Sequence, residues 1–270
     1  MIPSTDLAAG IRHHALRMVS AANASHIGGV LSMADTLAVL YSGILKVFPD
    51  QPDHPDRDRF ILSKGHCCAG VYAALALRGF FPLSELDSYG MDGSRLMTHI
   101  SHKVPGVEFS TGSLGHGLPF ALGKALAARR KGLPWRSFAL LSDGELDEGS
   151  NWEAILLAPQ HQLDNLVLII DYNKIQSLGA VSEVIELEPL RAKLEAFRWA
   201  VREVDGHNHA ELHAALSSLP FSKGQPSCLI THTTKGKGID YMENQIAWHY
   251  RAPNADLLAK ALAQLEQNPS

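Results

Sequence analysis

The chain has 270 residues, of which 46% are hydrophobic, and its 24 basic and 28 acidic side chains give a formal net charge of −4. A chain of this length and composition can bury a full hydrophobic core, so we predict one domain over residues 1–270. The dispersed Lys and Arg residues form no basic face for nucleic acid, and no apolar run approaches the roughly 20 residues that span a bilayer.

Apolar runs and helical patterns alternate along the chain. The first helices are predicted at residues 7–22 and 33–45, the second with Ser32 as a candidate N-cap. Strands are predicted at 59–62, 138–141, 166–171, 200–204 and 228–231. Further helical patterns lie at 117–130, 149–157, 210–219 and 254–267. This alternation is typical of an α/β fold, here a doubly wound, mainly parallel sheet with helices on both faces.

Two stretches rich in Gly, Ser, His and Pro, residues 83–117 and 233–253, are predicted to be loops. Loops of this size usually serve a function. The second contains Lys235 and Lys237 between glycines, and these are either solvated charges or part of an ordered lid.

An Asp-Gly turn follows the strand predicted at 138–141, and an Asn follows the strand predicted at 166–171. The carboxyl ends of parallel strands are where open α/β sheets bind ligands, so Asp143 and Asn173 should lie close together. Their side-chain oxygens suit Mg²⁺ that also binds phosphate oxygens and water. Gly144 allows close backbone approach, and the start of the helix at 149–157 could help face a diphosphate.

The cysteines and several histidines have simpler interpretations. Cys67 and Cys68 are predicted to pack at a helix start rather than to react. The pairs His207/His209 and His99/His102 lack accompanying ligands at zinc spacing, so we expect hydrogen-bonded or solvated histidines. Three cysteines make no disulfide framework and the first ten residues lack a secretory signal, so a cytoplasmic location is expected.

Four further segments carry a family resemblance. They are ASHIGGVLSMADTLAVLY from Ala24, DRFILSKGHCCAGVYAAL from Asp58, PGVEFSTGSLGHGLPFALGKALA from Pro105 and TTKGKGIDYMENQIAWH from Thr233. With these, the chain resembles the thiamine diphosphate enzymes, whose signature is Gly-Asp-Gly followed about thirty residues later by Asn. Within that superfamily, residues 11–253 resemble the amino-terminal third of transketolase.

The resemblance implies a role for each candidate site residue. The metal, Mg²⁺ or in its place Ca²⁺, would be bound by the side chains of Asp143 and Asn173 and the backbone carbonyl of Ile175. Catalytic roles fall to His26 and His99 in the substrate channel, and to Glu148 and Glu153 in a subunit-bridging acid network. The remaining candidates bind thiamine diphosphate: His66, Gly112, Ser113, Leu114, Ser142, Gly144, Glu145 and His249, together with Asp143 and Asn173.

Three positions depart from the family pattern. Ser142 replaces the first glycine of Gly-Asp-Gly, Ala24-Ser25-His26 replaces Ser-Gly-His, and residues 113–116 read Ser-Leu-Gly-His instead of Pro-Leu-Gly-Gln. The Ser142 hydroxyl either donates to a phosphate or crowds it. The change at Ser25 motivates the hypothesis that the donor pocket differs from that for ordinary sugar phosphates.

The resemblance also implies what this chain lacks. Thiamine enzymes need a glutamate on the aminopyrimidine ring, which transketolases provide from a pyrimidine-binding domain, and the sequence ends before such a domain. We therefore expect the amino-terminal subunit of a split transketolase, which transfers a glycolaldehyde unit between sugars or sugar phosphates. A carboxyl-terminal subunit would supply the glutamate, and two heterodimers would pair into a heterotetramer.

Three alternatives remain at this stage. The chain could be a subunit of another thiamine enzyme, such as a 2-oxo acid dehydrogenase or deoxyxylulose phosphate synthase, but those lack the segment from Lys235 to His249. It could be a non-catalytic paralogue that binds a partner. An unrelated Mg²⁺-dependent phosphatase would need a nucleophile near Asp143.

Overall fold

The computed structural model describes residues 2–267. Five parallel strands form one sheet in the order β1-β2-β3-β5-β4. They are β1 (Arg59–Leu62), β2 (Ser137–Ser142), β3 (Leu166–Tyr172), β4 (Ala200–Asp205) and β5 (Ser227–His232). Each predicted strand is confirmed to within one residue at either end.

The α-helices surround this sheet. They are α1 (Ser4–Ala21), α2 (Ile27–Val39), α3 (Cys68–Leu77), α4 (Gly117–Lys131), α5 (Gly149–Gln160), α6 (Val181–Val184), α7 (Leu190–Ala196), α8 (His209–Ser217) and α9 (Ala255–Gln267). A π-helical segment, Leu40–Ile44, continues α2. The predicted N-cap role of Ser32 is wrong, because α2 begins at Ile27 and Ser32 is buried inside it.

Both faces of the sheet are covered, so the doubly wound prediction is confirmed. Alternate residues of β3 point to opposite sides: Val167 and Ile169 join the core formed with α1, α2, α3 and α8. Leu168 and Ile170 join the core formed with α4, α5 and α7. Buried parallel strands carry apolar residues on both faces, which is why they read as continuous apolar runs.

The stretch Ile27–Ile44 is apolar and long enough, by length and composition, to cross a membrane, contrary to the expectation from the sequence. However, 78% of it is buried inside the protein. Its Asp35 forms an ion pair with Arg12 of α1, with both side chains almost fully buried. These contacts are those of a core helix.

Candidate cofactor site

A cleft of about 220 Å³ opens where the carboxyl ends of the central strands meet the start of α2. Ligands of open parallel sheets bind at this edge. The predicted site residues that line it are His26, His66, His99, Gly112, Leu114, Ser142, Asp143, Gly144, Asn173, Ile175 and His249. Other lining residues, which the sequence had not assigned to the site, are Gly29, Lys64, Gln176, Ser177 and Lys235.

Asp143 lies in the turn after β2 and is 1% exposed. Its carboxylate oxygens accept hydrogen bonds from the backbone N–H groups of Gly144, at 2.7 Å, and Lys174, at 2.6 Å. Burial, and then the neighbouring Asp171, raise the pKa of Asp143 to about 6. Burying a carboxylate away from water without a cation is costly, so this environment favours a bound cation.

The turn after β3 brings two more oxygen atoms to the cleft. Lys174 adopts a left-handed conformation with φ of 66°, and Ile175 forms an antiparallel bridge with Ala180. Asn173 Oδ1 accepts a hydrogen bond from the Ile175 N–H at 3.1 Å. The three predicted metal ligands therefore line one cleft, and their carboxylate, amide and carbonyl oxygens are what Mg²⁺ prefers.

Within residues 2–267, no group of three or more His, Cys, Asp or Glu side chains is placed to hold a metal ion. A metal at Asp143 would thus depend on the Asn173 and Ile175 oxygens and on ligands from outside the protein. That donor set fits Mg²⁺, which usually combines one or two protein groups with phosphate oxygens and water.

Two buried lysines face the same cleft. Lys64 Nζ donates to Asp171 Oδ2 at 2.5 Å and to the Gly29 carbonyl at 3.1 Å. Lys235 is 2% exposed, and its Nζ lies 2.8 Å from the Ile175 carbonyl and 3.2 Å from His249 Nδ1. The interpretation of Lys235 as a solvated charge is therefore wrong.

Four histidines cluster over the cleft. The His26 ring centroid lies 4.8 Å from that of His66, 5.0 Å from that of His249 and 6.1 Å from that of His99. Burial lowers the pKa of His26 to about 4 and of His249 to about 3, and that of His66 falls well below its usual value. These three imidazoles are therefore neutral near pH 7, when each has one donor and one acceptor nitrogen.

His26 has an unusual backbone conformation, with φ of 77° immediately before α2. Its N–H donates to the His249 carbonyl at 2.8 Å. Non-glycine residues in this region are uncommon and concentrate at functional sites. The contact joins the backbones of the two residues that carry these rings.

Comparison with known proteins identifies this arrangement. Residues 4–270 match the family model described as the transketolase thiamine diphosphate binding domain. The chain belongs to the transketolase family. As predicted, it is a transketolase-type, thiamine diphosphate-binding subunit.

Relatives and solved structures agree. The chain is 40% identical over 256 residues to an apulose-4-phosphate transketolase subunit from Phocaeicola vulgatus, covering 95% of this chain and 91% of that protein. It is 40% identical over 258 residues to a 6-deoxy-6-sulfo-D-fructose transketolase subunit from a Clostridium species, covering 95% and 94%. Transketolase from Leishmania mexicana superposes with a TM-score of 0.93 at 31% identity, covering 100% of this chain but only 42% of that chain.

Glu145, predicted from the transketolase resemblance to bind the cofactor, lies behind the cleft and does not line it. It is fully buried, and its Oε1 accepts hydrogen bonds from the Gly115 N–H, at 3.0 Å, and from the Ser63 hydroxyl. Burial raises the pKa of Glu145 to about 7. Glu145 therefore supports the loop that contains Gly112 and Leu114, and its contact with the cofactor stays a prediction.

Ser113, Glu148 and Glu153 also lie outside the cleft, and all three are exposed. Glu148 precedes α5 as its N-cap residue. No residue of α5 lines the cleft, and the expectation that the start of this helix helps to face a diphosphate stays a prediction. The subunit-bridging role of the two glutamates stays a prediction.

The simpler interpretations of Cys67, Cys68, His207 and His209 are confirmed. Burial raises the pKa of Cys67 to about 11 and of Cys68 to about 12, so both thiols pack rather than react. His207 and His209 form hydrogen bonds to Asp35 and have no zinc-type partners among residues 2–267.

Proposed function

We propose that this chain is the diphosphate-binding subunit of a split transketolase, which transfers a two-carbon glycolaldehyde unit from a ketose donor to an aldose acceptor. The observation that supports it most is one cleft with two buried charges that lack an ion-pair partner within residues 2–267, the Asp143 carboxylate and the Lys235 ammonium. A metal ion would neutralise the first and a diphosphate the second. One metal–diphosphate group fits both requirements.

The cofactor would be held by residues that follow β1, β2, β3 and β5, together with His249. Asp143, Asn173 and the Ile175 carbonyl would bind Mg²⁺, and Ca²⁺ could replace it with longer oxygen contacts. Lys235, His66 and His249 would donate to the diphosphate. When bound, thiamine diphosphate supplies the carbanion that attacks the ketose carbonyl, and the protein supplies orientation and electrostatics.

His26 and His99 would bind the substrate hydroxyl groups. Because burial keeps the pKa of His26 near 4, this ring is neutral at pH 7 and its unprotonated nitrogen can accept a hydrogen bond from a substrate hydroxyl. The left-handed backbone of His26 and its bond to His249 hold the ring at the cleft. We therefore assign His26 one hydroxyl contact, as the hydrogen-bond acceptor, and His99 the second.

Activity would require a carboxyl-terminal partner that carries the pyrimidine-binding domain and the activating glutamate. Two relatives of matching length are named as transketolase subunits, which supports a split enzyme. The exposed Glu148 and Glu153 would face a subunit boundary in a heterotetramer. The cytoplasmic location stays a prediction.

We propose a ketose with an anionic group as donor. The two relatives are named for apulose 4-phosphate and for 6-deoxy-6-sulfo-D-fructose, so one name contains a phosphate and the other a sulfo group. The Ser25 hydroxyl donates to the Tyr250 carbonyl, at 3.0 Å, beside the His26 and His249 rings. The change at Ser25 motivates the further hypothesis that the donor pocket differs from that for ordinary sugar phosphates. Full activity on xylulose 5-phosphate with ordinary kinetics would contradict this hypothesis.

The proposal is tested by calorimetric titration of thiamine diphosphate with Mg²⁺ into this chain, alone and mixed with the carboxyl-terminal subunit encoded nearest to it. We expect binding in the mixture, loss of binding in Asp143→Ala, and little change in Cys67→Ala. Glycolaldehyde transfer from ketose to aldose is then assayed in the mixture. Binding without transfer for any ketose would favour a non-catalytic paralogue, and equal loss in both variants would overturn the site assignment.

A further inference from the structure

His207 lies just after β4 and links two distant parts of the molecule. Its Nδ1 is 2.7 Å from Asp35 Oδ2 in α2. Its Nε2 accepts a hydrogen bond from the backbone N–H of Thr234 at 2.8 Å. Thr234 immediately precedes Lys235, so this imidazole connects a buried carboxylate to the segment that carries the cleft lysine.

The two contacts determine which nitrogen of the neutral His207 ring carries the proton. Nε2 accepts from a backbone N–H, so the single proton of the neutral ring must lie on Nδ1, where it donates to Asp35. Asp35 is 1% exposed and is anchored by two bonds from the Arg12 guanidinium, at 2.9 and 2.6 Å. Burial opposes ionisation of Asp35, but the hydrogen bonds from the histidines and Arg12 hold its pKa below its usual range.

The anchored segment sets the position of Lys235. Beside the His207 contact, the Gly236 N–H donates to the Gly28 carbonyl and the Asn244 N–H to the Lys235 carbonyl, both at 2.9 Å. On the amino-terminal side of Lys235, the Thr234 N–H is bound by the His207 side chain, and one residue earlier Thr233 donates to the Tyr172 carbonyl at 3.2 Å and to Asp171. Removing the His207 contact would loosen the backbone next to Lys235, whose Nζ lies 2.8 Å from the Ile175 carbonyl.

We propose that His207 is a positioning residue for the cofactor site, which holds Thr234 so that the Lys235 ammonium points at the metal–diphosphate group. The proposal rests on the proposed function, because it assigns Lys235 to the cofactor. His207 itself does not line the cleft. It acts only through the Thr234 backbone.

His209 provides a matched control. It lies on the same carboxylate, with its Nε2 3.0 Å from Asp35 Oδ1, and it is buried to a similar extent, with 16% of its side chain exposed against 14% for His207. Its other nitrogen, Nδ1, lies 2.8 Å from the Ser4 hydroxyl at the start of α1, far in sequence from Lys235. Loss of either histidine removes one bond to Asp35, but only loss of His207 frees Thr234.

The test uses His207→Asn, His207→Gln and His209→Asn in the complex with the carboxyl-terminal subunit. The Asn amide at 207 can donate to Asp35 in place of Nδ1 but cannot reach Thr234, whereas the Gln amide oxygen can. We expect His207→Asn to weaken thiamine diphosphate binding about fivefold to tenfold, the size of one lost buried hydrogen bond. At saturating cofactor its kcat should change less than about twofold, and His207→Gln and His209→Asn should bind within about twofold of the parent.

A second readout needs neither cofactor nor partner. Backbone amide exchange in the ligand-free chain should become faster at Thr234 and Lys235 in His207→Asn but not in His209→Asn. Unchanged exchange, or equal weakening of binding in the two Asn variants, would overturn the positioning role. Weaker binding in Lys235→Met but not in His207→Asn would refute only the His207 proposal, whereas absence of binding by the parent complex would refute the proposed function.

Discussion

The two buried lysines of the cleft differ in what balances their charge. Lys64 donates to the carboxylate of Asp171 at 2.5 Å, and both side chains are 1% exposed. Lys235 is as buried, but its hydrogen bonds are to backbone carbonyls and to His249. Burial would lower the pKa of both, yet Asp171 raises that of Lys64, while the pKa of Lys235 stays lowered.

The two buried carboxylates differ in the same way. Asp171 accepts hydrogen bonds from Lys64, Ser32 and Thr233, which outweigh its burial and hold its pKa below the usual value. Asp143 accepts from two backbone N–H groups, and its pKa rises to about 6. Lys64–Asp171 is therefore a complete ion pair, with Lys64 in the cleft wall. Asp143 and Lys235 are opposite charges at the cleft that form no such pair within the part of the chain that the structure describes.

This difference separates structural from ligand-binding charge. Proteins rarely bury a charged group unless it is paired or binds an ion, because removing the charge from water costs ~5 kcal/mol. Lys64 and Asp171 satisfy each other and contribute to the fold. Asp143 and Lys235, which both line the cleft, would be satisfied together by a metal–diphosphate group.

The largest effect should come from breaking the complete pair. Asp171→Asn leaves the Lys64 ammonium buried without a counter-ion, so we expect the free energy of unfolding to fall by roughly 3–5 kcal/mol. Denaturant unfolding of the ligand-free chain measures it. Adding Lys64→Met should recover much of the loss, because neither position of the pair then carries a buried charge. A double variant no more stable than Asp171→Asn would contradict the pairing.

The same change at Asp143 should have little effect on stability but a large effect on cofactor binding. Asp143→Asn removes an unpaired charge but loses one acceptor for a backbone N–H, two effects of about 1–3 kcal/mol that oppose each other. We expect the unfolding free energy at pH 7 to change by less than about 1 kcal/mol. Thiamine diphosphate binding to the complex should weaken more than about 100-fold, because the metal loses its charged ligand. Comparable loss of stability in both Asn variants would contradict the comparison.

Replacing each of the two lysines should likewise distinguish a role in cofactor binding from a role in stability. Lys235→Met keeps the apolar stem and removes the charge, so stability should stay the same or increase. Cofactor binding should weaken roughly 10–100-fold, since a hydrogen bond to a charged group contributes about 1.5–3 kcal/mol. Lys64→Met serves as the control and should destabilise the chain. Unchanged cofactor affinity in Lys235→Met would show that this ammonium does not contact the diphosphate.

The sequence predicted the sheet well because the central strands β2 and β3 are apolar runs, whereas the edge strand β4 includes exposed charged residues. The predicted start of α2 at residue 33 was wrong, because a contact between distant residues sets where the helix begins. The helix begins after His26, whose left-handed conformation is held by the His249 carbonyl, a contact between residues more than 200 positions apart. Helix α3 had no assigned range, because Cys68–Leu77 is buried on all sides and has no amphipathic period.

For the site, Asp143 and Asn173 were predictable because they follow strand ends at a spacing the family shares. Lys64 and Lys235 were not assigned, although both lie in the matched segments. Lys235 donates to the backbone carbonyls of Ile175 and Gln176. Every residue has a backbone carbonyl, so the sequence does not indicate which carbonyls a lysine will contact. Glu145 follows the Asp143–Gly144 turn, and its side chain points to Ser63 and Gly115, contacts between distant parts of the sequence.

The smallest predicted effect sharpens the contrast between the two carboxylates. The pKa of Asp143 is raised in the folded chain, so the folded state binds more protons than the unfolded state between about pH 4 and 6, and Asp143 lowers stability as pH rises through that window. The lowered pKa of Asp171 acts in the opposite direction. Relative to the parent, Asp143→Asn should therefore become more stable by roughly 1–2 kcal/mol between pH 4 and 7, measured by denaturant unfolding without ligands. A constant difference across this range would mean that Asp143 titrates normally and that its burial creates no demand for a cation.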